Sequence, residues 1–283
     1  WRPDVPLMSA PFDPAALARK YAEERQKRIE NGDRTSHDDP GVLFPELNQD
    51  PWASAPIERA AITEEVDALT TGCGIAGLTA AAHLVKAGVT NIRMIDAASD
   101  FGGTWYWNRY PGVRCDLEAY IYLPLLEEIG TIPSERYAGG AEIRAHLQKL
   151  ARHFGLYEKA LFQTRILSAT WDEPSARWHV HTHRGDLIKA RLLLGTSGFL
   201  HKPKIPNLPG LSDFKCKIIH PSRWDANYTG GDSRGDLDGL KGKRVGLIGT
   251  GATGIQILPH VAQYAEAAYL FQRTPAPVNA RNN

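Results

Sequence analysis

Two stretches place glycines where a backbone must come close to something: Gly72-Cys73-Gly74-Ile75-Ala76-Gly77 and Gly249-Thr250-Gly251-Ala252-Thr253-Gly254. Each follows a short apolar run and precedes a run of helical periodicity. In that setting the first glycine turns the chain, the second admits a pyrophosphate to the backbone and the third lets helix pack on strand. The helix N-terminus then faces the phosphate charge. Both stretches read as dinucleotide sites. Asp96 stands about twenty residues beyond Gly77, where a carboxylate bonds a ribose hydroxyl. At the matching distance from Gly254 stands Arg273, which would accommodate a 2′-phosphate, so the second site favours NADP over NAD. An acid in one site and an arginine in the other suggest a flavin and a nicotinamide used together, hence an oxidoreductase.

The elements that must position these sites follow from periodicity. "FDPAALARKYAEERQKRIENG" reads as a surface helix, capped by Asp13, with Pro14 in its first turn and a narrow apolar stripe of Leu17, Tyr21 and Ile29. Residues 33–62, rich in Asp, Pro and Asn, read as an irregular connector. From Val66 onward short strands alternate with helices: "VDALTT", the helix "GLTAAAHLVKAG", the strand "NIRMID". A β-meander is expected over residues 160–198, and "KGKRVGLIGTGATGIQ" restarts the strand, turn and helix order. The expected fold class is α/β, with two Rossmann-like dinucleotide-binding domains, both incomplete in this chain.

Bulk composition excludes several classes. The 283 residues are 42% hydrophobic and 23% charged, with a formal net charge of +1, which calls for neither nucleic acid nor an anionic membrane. No apolar run approaches the roughly 18 residues that span a bilayer, and no secretory leader is legible. These features lead to the expectation of a soluble, cytoplasmic protein. Cys73, Cys115 and Cys216 are far apart with no zinc-like spacing. His179, His181 and His183 share one strand face but lack a completing acid or cysteine, so no metal is expected.

Between the two glycine sites stands "GGTWYWNRYPGVRCDLEAYIY", and ahead of the second stands "FKCKIIHPSRWD". With "TSGFLHKPKIPNLPG" these strongly resemble the type I Baeyer-Villiger monooxygenases. That family uses FAD and NADPH to insert one oxygen atom of O2 beside a ketone carbonyl, through a flavin C4a-peroxide, giving an ester or lactone. Gly103, Trp105, Tyr110, Pro111, Gly112 and Asp116 supply one family pattern. Phe214, His220, Trp224 and Asp225 supply the other, with Cys216 where glycine is usual, which puts the local turn in question. Tryptophan at 224 sets the chain apart from flavin monooxygenases that oxidise nitrogen or sulfur, which remain the alternative, together with a non-catalytic nucleotide-binding remnant.

The resemblance implies an N-terminal extension and connector (1–62), an FAD-binding domain (63–200), a linker (201–213) and an NADP-binding domain (214–283). Gly72, Gly74, Ile75, Gly77 and Asp96 would hold the ADP half of FAD. Gly103, Thr104, Trp105, Asp116 and Tyr122 would line the flavin, and Ile166 would meet the adenine through its backbone. Thr250, Gly251, Ala252, Thr253, Gly254, Ile255, Gln256, Gln272 and Arg273 would hold NADPH. Arg114 and Asp116 would face the nicotinamide, and His220 would act as a hinge between domains. Asp116 would orient an arginine expected beyond Asn283, so the chain is expected to correspond to about half of an intact enzyme. The implied partners are a small-molecule ketone and O2.

Overall fold

The computed structural model describes residues 13–30, 43–198, 200, 202–273, 276, 278 and 283, with the backbone alone at Arg28. Residues 1–12 and 31–42 of the predicted extension and connector, and His201 at the start of the predicted linker, lie outside the described residues.

Helix α1 (Pro14–Glu30) begins as its sequence dictates, with the Asp13 side chain accepting from the Ala15 N–H at 2.9 Å. Leu17 and Tyr21 are half-buried, whereas Ile29 is 62% exposed, so the apolar stripe is shorter than predicted.

The first nucleotide unit is a six-stranded mixed sheet in the order β3-β2-β1-β6-β5-β4. Its strands are β1 (Thr63–Thr70), β2 (Ile92–Ile95), β3 (Ala160–Leu161), β4 (Ile166–Asp172), β5 (Arg177–Thr182) and β6 (Leu187–Leu194). β1 alternates at its start and is continuously buried at its end, where it lies parallel to both β2 and β6. β4, β5 and β6 form the expected antiparallel meander. Helix α2 (Ile75–Lys86) crosses from β1 to β2, and α3 (Gly140–His153) packs beside it, with Ile143, Leu147 and Leu150 buried on its apolar face.

The second unit comprises β7 (Arg244–Ile248), helix α4 (Ala252–Tyr264) and β8 (Ala267–Phe271), with the two strands parallel. One apolar cluster joins both units: Leu78, Met94, Phe101, Ile143 and Leu147 of the first are continuous with Trp224, Leu237, Ile257 and Val261 of the second. Among the described residues no helix is long and apolar enough to cross a membrane, and no group of three His, Cys, Asp or Glu could hold a metal.

Candidate dinucleotide sites and the joint between them

The first glycine turn is closed by backbone alone. Gly72 has φ 149°, and a Cβ on Gly77 would lie 1.9 Å from the Gly72 carbonyl oxygen, so only glycine lets α2 approach the turn. Gly74 packs back to back with Gly103, whose Cβ would come 2.6 Å from the Gly74 Cα. Gly74 precedes Ile75 at the start of α2 and gives the helix no side-chain cap, so its first N–H groups are left for an anion. Asp96, directly after β2, has one carboxylate oxygen accepting from the Cys73 N–H at 2.6 Å and the other from the Ala98 N–H at 2.8 Å. That fixes an acid at the mouth of the turn. The Thr164 N–H donates to the Asp96 carbonyl at 2.8 Å, so the segment leading into Ile166 passes the same strand end.

The aromatic turn Thr104–Trp107 follows Gly103 (φ 54°) directly. Trp105 is buried, and its Nε1 donates to the Tyr122 hydroxyl at 2.8 Å, the rings standing edge to face. Burial raises the Tyr122 phenol, keeping it neutral. Gly103, Thr104, Trp105 and Tyr122 therefore stand together beside Gly74. Arg114, in an isolated bridge to Gly139, and Asp116, in the bend that follows, lie exposed before the Ala119–Tyr122 turn. Arg114 pairs with Glu135 at 2.6 Å and donates to the Tyr137 carbonyl at 2.7 Å.

The second turn repeats the design. Gly249 has φ 103°, and a Cβ on Gly254 would fall 2.4 Å from the Gly249 carbonyl oxygen. Helix α4 starts without a side-chain cap, leaving Gly251 and Ala252 exposed. Gln272 Nε2 donates to Thr250 Oγ1 at 3.2 Å, and Arg273 lies exposed just past β8. Gln256 turns away toward the first unit: its amide oxygen accepts from the Tyr110 hydroxyl and its amide nitrogen donates to the Arg114 carbonyl, both at 2.9 Å.

His220 and Trp224 lie at the joint between the units. The His220 Nδ1 accepts from the Ser222 N–H at 3.2 Å, so the neutral ring carries its proton on Nε2. Burial, with Arg223 adding to it, pulls the imidazole down to about 4. The buried Trp224 donates from Nε1 to Thr229 Oγ1 at 3.0 Å, and Asp225 caps the next turn at the Tyr228 N–H while pairing with Lys217 at 2.6 Å. Cys216 is exposed and is not among the residues with positive φ, so the turn put in question by the missing glycine forms without one.

Sequence reasoning missed several residues. Thr196 Oγ1 is buried without a partner and would lie 3.3 Å from a Cβ on Gly77, at the first glycine turn. Asp50, Arg109 and Arg223 surround the outer side of the aromatic turn. A lone hydroxyl and charges far apart in sequence give no periodic signal.

The sequence profile of the NAD(P)-binding Rossmann-like domain matches residues 71–129. Baeyer-Villiger monooxygenase 4 of Dietzia sp. (strain D5) is 49% identical over 272 residues, covering 96% of this chain and 44% of the relative. The polycyclic ketone monooxygenase of Thermothelomyces thermophila superposes with a TM-score of 0.83 at 39% identity, covering 93% of this chain and 45% of that one. A steroid monooxygenase solved with NADP bound matches 74% of this chain and 39% of its own, with 40% identity and a TM-score of 0.65. The chain spans a little under half the length of the curated relatives it matches. Over both glycine turns and the joint between them, the chain is similar in sequence and fold to a little under half of a Baeyer-Villiger monooxygenase and of a polycyclic ketone monooxygenase.

Proposed function

We propose that the protein containing this chain is an FAD- and NADPH-dependent Baeyer-Villiger monooxygenase that converts a ketone to an ester or lactone. The observation that carries the reading is the pairing of two backbone-lined turns, one beside Asp96 and the other with Arg273 just past β8. The residues present fit both groups: the side-chain-free turns and uncapped helix starts suit pyrophosphates, and the orphaned Thr196 hydroxyl offers a further polar contact at the first. FAD would supply the redox ring and NADPH the hydride.

In the proposed domain plan, residues 63–200 hold FAD and residues 214–283 begin the NADPH unit, joined through a linker at 201–213. Gly72, Gly74, Ile75, Gly77 and Asp96 hold the adenine half of FAD, with Ile166 alongside. Gly103, Thr104, Trp105 and Tyr122 form an apolar wall that keeps water from the reacting ring. Asp116 and Arg114, at the rim, face the nicotinamide. The stretch Thr250–Gln256, Gln272 and Arg273 hold the rest of NADPH, while His220 stays neutral and serves the joint.

The test is reconstitution of the full-length protein with FAD, followed by NADPH oxidation with and without a cyclic ketone. Ketone-dependent oxidation with ester or lactone as product is expected. Formation of a sulfoxide from a thioether, with the ketone untouched, would favour the nitrogen- and sulfur-oxidising enzymes instead.

A further inference from the structure

The segment Pro45–Trp52 lies outside both nucleotide units, yet it touches the aromatic turn of the first and the joint that leads to the second. From this strap, Asp50 Oδ2 accepts from the Tyr106 hydroxyl at 2.6 Å, from Ser99 Oγ at 2.7 Å and from the Ser99 N–H at 3.2 Å. Its Oδ1 accepts from the Trp52 N–H at 3.0 Å. Arg109 lies over the Trp52 ring at 4.5 Å and the Tyr106 ring at 4.8 Å, sandwiching the strap against the aromatic turn.

The second contact comes from the joint. Arg223, one residue before Trp224, stacks 4.0 Å over the Trp107 ring, and its Nε donates to the Gln49 carbonyl at 3.1 Å. Tyr106 and Trp107 meet edge to face at 5.1 Å, so the strap's two contacts converge on neighbouring rings. The turn thus has two sides: Trp105 faces Tyr122 inward, while Tyr106 and Trp107 face the strap and the joint. Burial pulls Arg109 and Arg223 each down to about 10, with Arg144 adding to the effect at Arg109; the Asp50 carboxylate opposes it at both, joined by Asp100 at Arg109. Beside these contacts lies a cavity of about 390 Å³, lined by Leu47 and Trp52 of the strap and by Ile205, Ile219 and Trp224. The joint is therefore held to the strap at Arg223, which itself lines that cavity.

We propose that Asp50 and Arg223 are positioning residues: together, through the strap, they couple the His220–Trp224 joint to the Gly103–Trp107 turn, so that movement of the second unit resets the wall beside the first site. The description of that wall as flavin-facing rests on the function proposed above; the mechanical coupling does not.

Hydrogen–deuterium exchange on the full-length protein, without cofactors, tests the coupling. Asp50→Asn and Arg223→Met should each speed amide exchange by about tenfold or more at both ends, residues 103–107 and 220–224, and the double variant should add little to either. If each substitution loosens only its own end, or if the two effects simply add, the coupling is refuted. Should Arg223→Met yield no folded protein, Arg223→Lys, which keeps the charge but loses the planar stack, carries the same readout. With FAD and NADPH present, both variants should send a larger share of NADPH oxidation to hydrogen peroxide at an unchanged rate of NADPH consumption. A wild-type protein that consumes no NADPH would sink the proposed function, while the exchange experiment would still decide the coupling.

Discussion

The Tyr110 hydroxyl and the Gln256 side-chain oxygen lie 2.9 Å apart, so a loop of the first nucleotide unit is hydrogen-bonded to the first turns of a helix in the second. Gly112 makes that approach possible: with φ 78°, a Cβ there would fall 2.6 Å from the Gln256 carbonyl oxygen and 2.8 Å from His260 Nε2. The glycine of the "YPG" pattern therefore belongs to the seam between units as well as to the loop's own turn.

Gly112→Ala should cost about 1–3 kcal/mol through strain and overpacking, whereas Tyr110→Phe should cost about 1 kcal/mol for one lost hydrogen bond. Urea denaturation monitored by tryptophan fluorescence separates the two. Equal midpoints for Gly112→Ala and wild type would mean that the seam relaxes freely.

Gly77→Ala should abolish flavin retention, since the new methyl would enter the Gly72 carbonyl and push α2 off the turn. The share of FAD remaining after gel filtration is the readout. Gly88→Ala, at another positive-φ glycine whose Cβ would meet nothing within 4 Å, controls for backbone strain and should keep its flavin.

Acid should weaken the joint in a defined window. The imidazole of His220 is held at about 4 against an ordinary value of 6.5, so between those values the unfolded chain binds more protons than the folded one. Stability should fall as pH drops from 6.5 toward 4, and His220→Gln should flatten that slope. An unchanged slope in the variant would place the titration elsewhere.

Asp186 gives a second pH signature. Its fully buried carboxylate accepts both Arg59 guanidinium nitrogens, at 2.6 and 2.7 Å, together with Thr182 Oγ1 and the Ile62 N–H. These bonds, those from Arg59 first, hold the acid below the usual carboxylate range. Their contribution is present above the unfolded value of about 4 and is lost as pH falls through the lower folded value. Arg59→Met leaves a buried charge unpaired and should cost about 3–5 kcal/mol at neutral pH, measured by denaturant midpoint; a loss below 1 kcal/mol would class the pair with surface ion pairs.

Arg273→Ala should lower NADPH affinity while sparing NADH. Losing a charged hydrogen bond worth about 1.5–3 kcal/mol corresponds to roughly tenfold to a hundredfold in the ratio of dissociation constants. A parallel loss for both nucleotides would remove Arg273 from 2′-phosphate recognition.

The parts legible in sequence were those set by local backbone rules. Both glycine turns, the acid after β2, the α2 crossover and the meander follow from spacing and period, because strand, turn and helix each impose their own repeat. How far each residue of the narrow stripe on α1 is covered was not legible, because polarity gives periodicity and not burial, and Ile29 is exposed. The role of Asp50 was invisible, since its partners Ser99 and Tyr106 lie about fifty residues away and meet it only through folding. Cys216 raised a doubt that the backbone removes, because its φ is not in the region that requires glycine.

Oxygen insertion beside a ketone is the reaction proposed for the protein that carries both nucleotide sites. The most direct measurement supplies the full-length protein with FAD, NADPH, a cyclic ketone and isotopically labelled O2, and reads the product by mass. A lactone containing one labelled oxygen atom is expected, with NADPH consumed in step. Unchanged ketone, while the same preparation turns a thioether into labelled sulfoxide, would contradict it.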